Sequence, residues 1–202
     1  MGRKIGRAMA VALIVTLPAG LAARQELTRQ DATVAEQKLL MIMARGGQTP
    51  PAPQPSVRTS LSEREVNAFL QFSELLHLPP GVTNPRVTIA DGGRLEGRAV
   101  VNLDTIRKSK DRTALDPLSY VSGSVEIAAV GTLKTANGQG TFDLQSATLG
   151  GVPIPKSLLQ EVVTYYSRTP DDPAGFDLDK PFVLPAAIRS VEIRQGSATI
   201  VQ

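Results

Sequence analysis

The chain has 202 residues, of which 42% are hydrophobic, 20% charged and 4% aromatic, a composition that suits one principal globular domain and excludes a highly charged disordered chain. It contains no cysteine, so disulfide stapling, thiolate metal sites and cysteine nucleophiles are excluded. The net charge of +3 is carried in full by Arg3, Lys4 and Arg7; the remainder is formally neutral, and no nucleic-acid partner is expected.

Those three basic residues precede an apolar run from Ala8 to Leu17, then Pro18, Gly20 and the small pair Ala22-Ala23. Residues 1–23 therefore have the three-part layout of a secretory signal. The uncharged stretch is shorter than the roughly 20 residues that span a bilayer. Cleavage is expected, with a retained N-terminal membrane anchor as the alternative, and the mature protein is placed in the periplasm or cell envelope.

Residues 24–45 are polar and helix-compatible and end in Leu39, Leu40, Met41, Ile42 and Met43. They read as a helix that docks on the main domain or frays, the alternative being a partner- or membrane-surface segment. Residues 46–56 begin GGQTPPAPQP, a linker by composition,. The main domain spans 57–202. Ser62-Glu63-Arg64-Glu65 has capping-box spacing, and Val66, Phe69, Leu70 and Ser73 follow at helical spacing up to a stop at Leu78-Pro79-Pro80-Gly81,.

The next stretch alternates as strands do. Val87 and Ile89 lead to a turn at Asp91-Gly92-Gly93; Leu95, Gly97, Ala99, Val101 and Leu103 share one face of the return strand,. Val121 to Leu133 alternates again, within a strand expected from Ser119 that would reach roughly 50 Å and would have to twist and curve. Asn137-Gly138 turns the chain into Thr141–Ser146, with Phe142 and Leu144 on one side. Gly150 to Pro155 is expected to break the sheet before a second helix with Leu158, Leu159, Val162, Val163 and Tyr166 on its apolar face,. Thr169–Pro185 reads as loop, and Val191 to Ile200 as a closing hairpin around Gln195-Gly196. The expected fold is α+β, a long, curved antiparallel sheet with two amphipathic helices on one face.

No catalytic constellation emerges, and the protein is expected not to be an enzyme. His77, the single histidine, has no nucleophile elbow to serve,. Asp171, Asp172, Asp177 and Asp179 lack the spacing of a calcium loop and, beside Pro170 and Pro173, read as a solvated connection,. The Gly92-Gly93 and Gly150-Gly151 pairs are turns, because neither belongs to a phosphate-binding motif. Arg107, Lys108, Lys110 and Arg112 form a basic loop that is either plainly solvated or set against anionic headgroups,. No cofactor or metal is expected.

Small residues at Gly97, Ala99, Gly123, Ala129 and Gly131 allow a helix or an acyl chain to approach the sheet closely. Burying about 14 methylenes contributes roughly 11 kcal/mol gross, so an apolar groove holds a lipid without polar recognition. The residues expected to line it are Phe69, Leu95, Ala99, Val101, Val125, Ile127, Ala129, Phe142, Leu144, Leu159 and Val163.

From Leu61 onward the motifs LSEREVNAFL, VVNLD, VSGSVEIAAVGTL, LGGVPIP and LPAAIRSVEIRQGSATIVQ occur in an order that resembles the bacterial LmeA-like phospholipid-binding proteins and the wider tubular lipid-binding (TULIP-like) group. The resemblance implies a half-barrel sheet wrapped on helices with acyl chains in a lengthwise groove, and a lipid-binding or lipid-transfer function with contact to a membrane surface. The alternative is a non-catalytic structural or protein-interaction module of the envelope. N-terminal sequencing of protein from an envelope fraction is expected to start near Arg24; an intact Met1 in a soluble cytoplasmic pool contradicts export.

Overall fold

The computed structural model describes residues 26–47, 55–104, 123–170 and 172–202. The signal-like segment 1–23, the middle of the 46–56 linker, the basic loop from Arg107 to Arg112 and Asp171 lie outside the described residues.

Helix α1 (Arg29–Gly46) opens on a reciprocal cap: the Thr28 hydroxyl accepts from the Asp31 amide, and the Asp31 carboxylate accepts from the Thr28 amide. Strand β1 (Arg58–Ser62) leads directly into α2 (Glu63–Phe72), which starts on the same device, Ser62 with Glu65,. The helix does not run to Leu78–Gly81 as expected. Ser73 is already extended, and its hydroxyl accepts from the Leu75 amide, a local bond that competes with another helical turn,.

Arg64, Glu65 and Phe72 all reach α1 from one face of α2. Arg64 pairs with Asp31 at 2.8 Å, Glu65 with Lys38 at 2.7 Å, and the Phe72 ring lies 5.6 Å from the Arg29 guanidinium carbon,. Ala68 sits in the middle of that face and is fully buried, as is Ala35 of α1, with Ala32 nearly so, so the backbones approach closely. Helix α1, which makes up most of the 24–45 segment, is thus docked on α2. Gly46, assigned to the linker, is the last residue of α1, where a side chain would meet the Ala186 backbone at 2.2 Å.

The remaining elements are β2 (Val82–Ile89), β3 (Arg94–Asn102), β4 (Ser124–Ala136), β5 (Gln139–Leu149), β6 (Val152–Pro153), α3 (Lys156–Ser167), β7 (Phe182–Val183), β8 (Ser190–Arg194) and β9 (Ser197–Val201). The fold is α+β, built on an open six-stranded antiparallel sheet with β2, β3, β4 and β5 as successive neighbours. β6 and β7 pair with opposite ends of the outer edge of β5. They are two halves of one edge strand, interrupted by α3 and the loop after it. Gly150-Gly151, expected to break the sheet, instead turns the chain back onto β5: both residues have positive φ, 58° and 80°, as a two-residue hairpin requires,. The long strand is described from Ser124, after Gly123 at a φ of 81°, and runs on to Ala136.

The closing hairpin does not extend the large sheet. β9 pairs on one side with β8 and on the other with β1, a strand the sequence reading missed, in a separate three-stranded sheet. The Thr135 hydroxyl joins the two sheets by donating to the Val191 carbonyl at 3.0 Å and accepting from its amide at 2.8 Å.

The free edge of β2 is closed by side chains. The Asn67 amide of α2 donates to the Val87 carbonyl at 2.7 Å and accepts from the Val87 N–H at 2.8 Å. A Glu63 carboxylate oxygen accepts from Ile89 N–H at 2.7 Å, and the Gly196 N–H donates to the Ile89 carbonyl. Pro85, next on the same alternation, brings no N–H to the edge,. Helix α2 is thereby held along the rim of the sheet, not across its face, which corrects the expectation of two helices on one face.

Two outcomes follow. Asn67→Ala strands a partly buried N–H and a carbonyl, and urea denaturation should show a loss of about 2 kcal/mol. The α1–α2 seam should be acid-labile. Arg64, then Thr28, hold the Asp31 carboxyl well below the usual carboxylate range; burial pushes Glu65 up, but Lys38 and the Ser62 cap outweigh it and the net shift is downward. Stabilisation from carboxyls depressed in this way is complete above their ordinary values and disappears as pH falls through the folded ones. Melting temperature should therefore fall on acidification below about pH 4, and fall less steeply in Asp31→Asn.

Candidate functional site

Strand register puts Leu95, Gly97, Ala99 and Val101 of β3 opposite Gly131, Ala129, Ile127 and Val125 of β4, so all eight share one face. β5 joins that face through a bulge: Val130 pairs with Ser146 and Gly131 with Leu144, which leaves Gln145 as the extra residue,. Because of it, Phe142 and Leu144 before the bulge and Ala147 and Leu149 after it all point the same way. Ala147 and Leu149 are buried core residues that the sequence reading missed. Without the bulge their odd positions would fall on the opposite side.

Helix α3 covers one end of this face with Leu158, Leu159 and Val162, in a core with Val101, Leu103, Ile127, Ala147 and Leu149. It is anchored by the Tyr166 hydroxyl, which donates to the Asn102 carbonyl at 2.8 Å. The following segment is more than a solvated connection. Gln160 accepts from the Leu178 N–H and donates to the Phe176 carbonyl, both at 2.8 Å, and so seats Leu178 in the core.

Of the expected lining residues, Val101, Ile127 and Leu159 are buried in this core, and Ala99, Val125, Ala129, Phe142, Leu144 and Val163 pack against it half-buried. Leu95 is on the same face beyond the core, level with Gly131. Phe69 is half-buried on α2 and is not among the residues packed in or against this core.

The small residues along this face are not equivalent. The Phe142 ring lies over Gly131, where a Cβ would come within 2.4 Å of it. Over Gly97 a Cβ would meet no described atom within 4 Å. Among the described residues the apolar face is therefore filled at its α3 end and at Phe142, and nothing packs within 4 Å of the Cβ position of Gly97. A separate cleft of about 260 Å³ opens at the rim between the end of α2 and the start of β2. Val82, which packs against the core, forms part of its wall.

His77 is exposed, its ring nitrogen 3.3 Å from the Leu75 carbonyl. Asp177 and Asp179 are engaged by Lys180 and Lys156, and the described residues contain no cluster of His, Cys, Asp and Glu that could hold a metal ion. No described helix is long and apolar enough to cross a membrane. Leu40, Met41 and Met43, near the end of α1, are exposed.

No protein-family model matches the chain, and neither the curated proteins nor the solved structures contain a match.

The difference between Ala99 and Gly97 is measurable. Ala99→Leu adds bulk beside the core and should cost about 1 to 3 kcal/mol. Gly97→Ala adds a methyl to open space at a strand position with ordinary φ, and should leave stability unchanged or raise it by about 0.5 to 1 kcal/mol. Equal destabilisation by both, in thermal melts of delipidated protein, contradicts an open face at Gly97.

Proposed function

We propose that the protein is a non-catalytic, extracytoplasmic lipid-binding or lipid-transfer protein whose acyl-chain site is the apolar face of the six-stranded sheet beside α3. The observation that supports this reading is that no described atom lies within 4 Å of the Cβ position of Gly97, on a face otherwise made of Leu95, Ala99, Ala129, Phe142 and Leu144. Water is a poor occupant for such a surface, since each methylene that replaces it contributes about 0.8 kcal/mol. The signal-like N-terminus and the motif order shared with LmeA-like and TULIP-like proteins support the same reading. On this proposal the sheet and α3 form the half-tube of that group, and the 1–23 segment delivers the protein to the envelope.

The test is mass spectrometry of lipids that co-purify with the full chain, run on the parent and on Gly97→Leu. The parent should carry phospholipid or fatty acid in near-stoichiometric amount. Gly97→Leu should lose most of it while its delipidated form melts at nearly the parental temperature, because the added side chain occupies ligand space. A parent free of lipid after extraction from its native membrane fraction would replace this reading with a structural module of the envelope.

A further inference from the structure

The rim cleft carries three irregularities within five residues. The β2–β3 register shifts between Thr83 and Arg86; such bulges re-aim side chains and are over-represented beside functional sites. Asn84, inside the bulge, holds a φ of 51°, a conformation that costs a non-glycine residue free energy and persists only where the surroundings impose it,. Arg86 stands directly opposite Arg98 on β3, and like charges facing each other across a sheet are destabilising. Arg98 is compensated: Glu96 accepts from it at 2.7 Å, and Glu126 lies at 3.5 Å. Arg86 has no ion pair or hydrogen-bond partner among the described residues.

The cleft beside Arg86 is lined by Leu70, Leu78, Val82 and Pro85 as well as by Asn84. It therefore offers a cation at the mouth of an apolar wall, and Val82 belongs at once to that wall and to the core beneath α3. Arg86, opposite Arg98, is on the outer face of the sheet, whereas Val82 of the cleft pairs with Val101 and shares the apolar face with Gly97,. The cleft thus opens at the edge of β2, between the two faces.

We infer that this cleft is the headgroup site of the bound lipid, with the guanidinium of Arg86 holding a phosphate or carboxylate while the acyl chain turns around the β2 edge at Val82, ahead of the Val87 and Ile89 positions that α2 closes, onto the apolar face. The inference rests on the lipid reading and specifies its substrate class as anionic amphiphiles. A planar guanidinium donates two parallel hydrogen bonds to such a group, and the ligand supplies the negative charge that the strand pair lacks.

The test offers delipidated full-length protein an equal mixture of phosphatidylglycerol and phosphatidylcholine, then quantifies bound lipid by mass spectrometry. The parent should be enriched in the anionic lipid. Arg86→Ala should keep total bound lipid within about twofold and lose about tenfold of the enrichment, the loss of a charge-assisted contact. Lys134→Ala, which removes a cation from the polar face of β4, should change neither quantity. Gly97→Leu should lower total lipid and retain the enrichment in what remains. Absence of any bound lipid in the parent overturns the lipid reading itself. Bound lipid without anionic enrichment, or enrichment that survives in Arg86→Ala, overturns the headgroup site alone. Millimolar inorganic phosphate should leave the enrichment in place; its erasure would assign the cleft to a free anion.

Discussion

A sheet edge exposes backbone groups that some partner must satisfy, and in this protein the partner of β2 is a helix. Asn67 and Glu63 place an amide and a carboxylate against Val87 and Ile89, and this fixes where α2 lies. Held along the rim, α2 cannot lie across the sheet. Helix α1 follows α2 through the alanine seam and its ion pairs, so neither helix of the N-terminal layer covers the apolar face. That task falls to α3, twelve residues long, against a sheet whose third strand alone has thirteen. Among the described residues, the space over Gly97 is what that arrangement leaves uncovered.

Much of this was legible in the amino-acid order because two periodicities are clean. Alternation from Leu95 to Val101 and from Val125 to Leu133 assigned the right residues to one face, and the Ser62–Glu65 spacing located the start of α2 to the residue. What was not legible has specific causes. Gln145 shifts the alternation of β5 by one, so Ala147 and Leu149 read as belonging to the wrong side; following the apolar A-x-L pattern past Ser146 would have signalled the change of phase. Strand β1 is five residues with a single buried side chain, Leu61, too little pattern to separate from a helix lead-in. Phe69 lies outside the α3 core because its helix runs beside β2. The side-chain hydrogen bonds that hold α2 at the rim leave no trace in hydropathy.

The cleft at the rim illustrates a different limit. Arg86 and Arg98 are unremarkable as letters twelve positions apart, and only the register set by the Asp91–Gly93 turn brings them face to face. The strain at Asn84 is equally invisible, since an asparagine before a proline fits an ordinary extended strand. Both features depend on a pairing that shifts by one bulge, and both border a cleft whose other wall comes from the end of α2.

The split edge strand bears on how the molecule avoids its own copies. Sheet edges recruit edges of neighbouring molecules, and on the outer edge of β5, the side away from β4, no described strand lies beside the backbone between Gly140 and Ala147,. β7 and β6 stand as stops at the two ends of that gap, and the Gln145 bulge and exposed Asp143 interrupt it within. A second copy could not lay its own eleven-residue β5 along this line without colliding with one stop or the other. On the opposite rim α2 already occupies the edge of β2. One rim is thus closed and the other is cut to a short, bulged gap between two stops, which limits fibrous self-association through chain topology,.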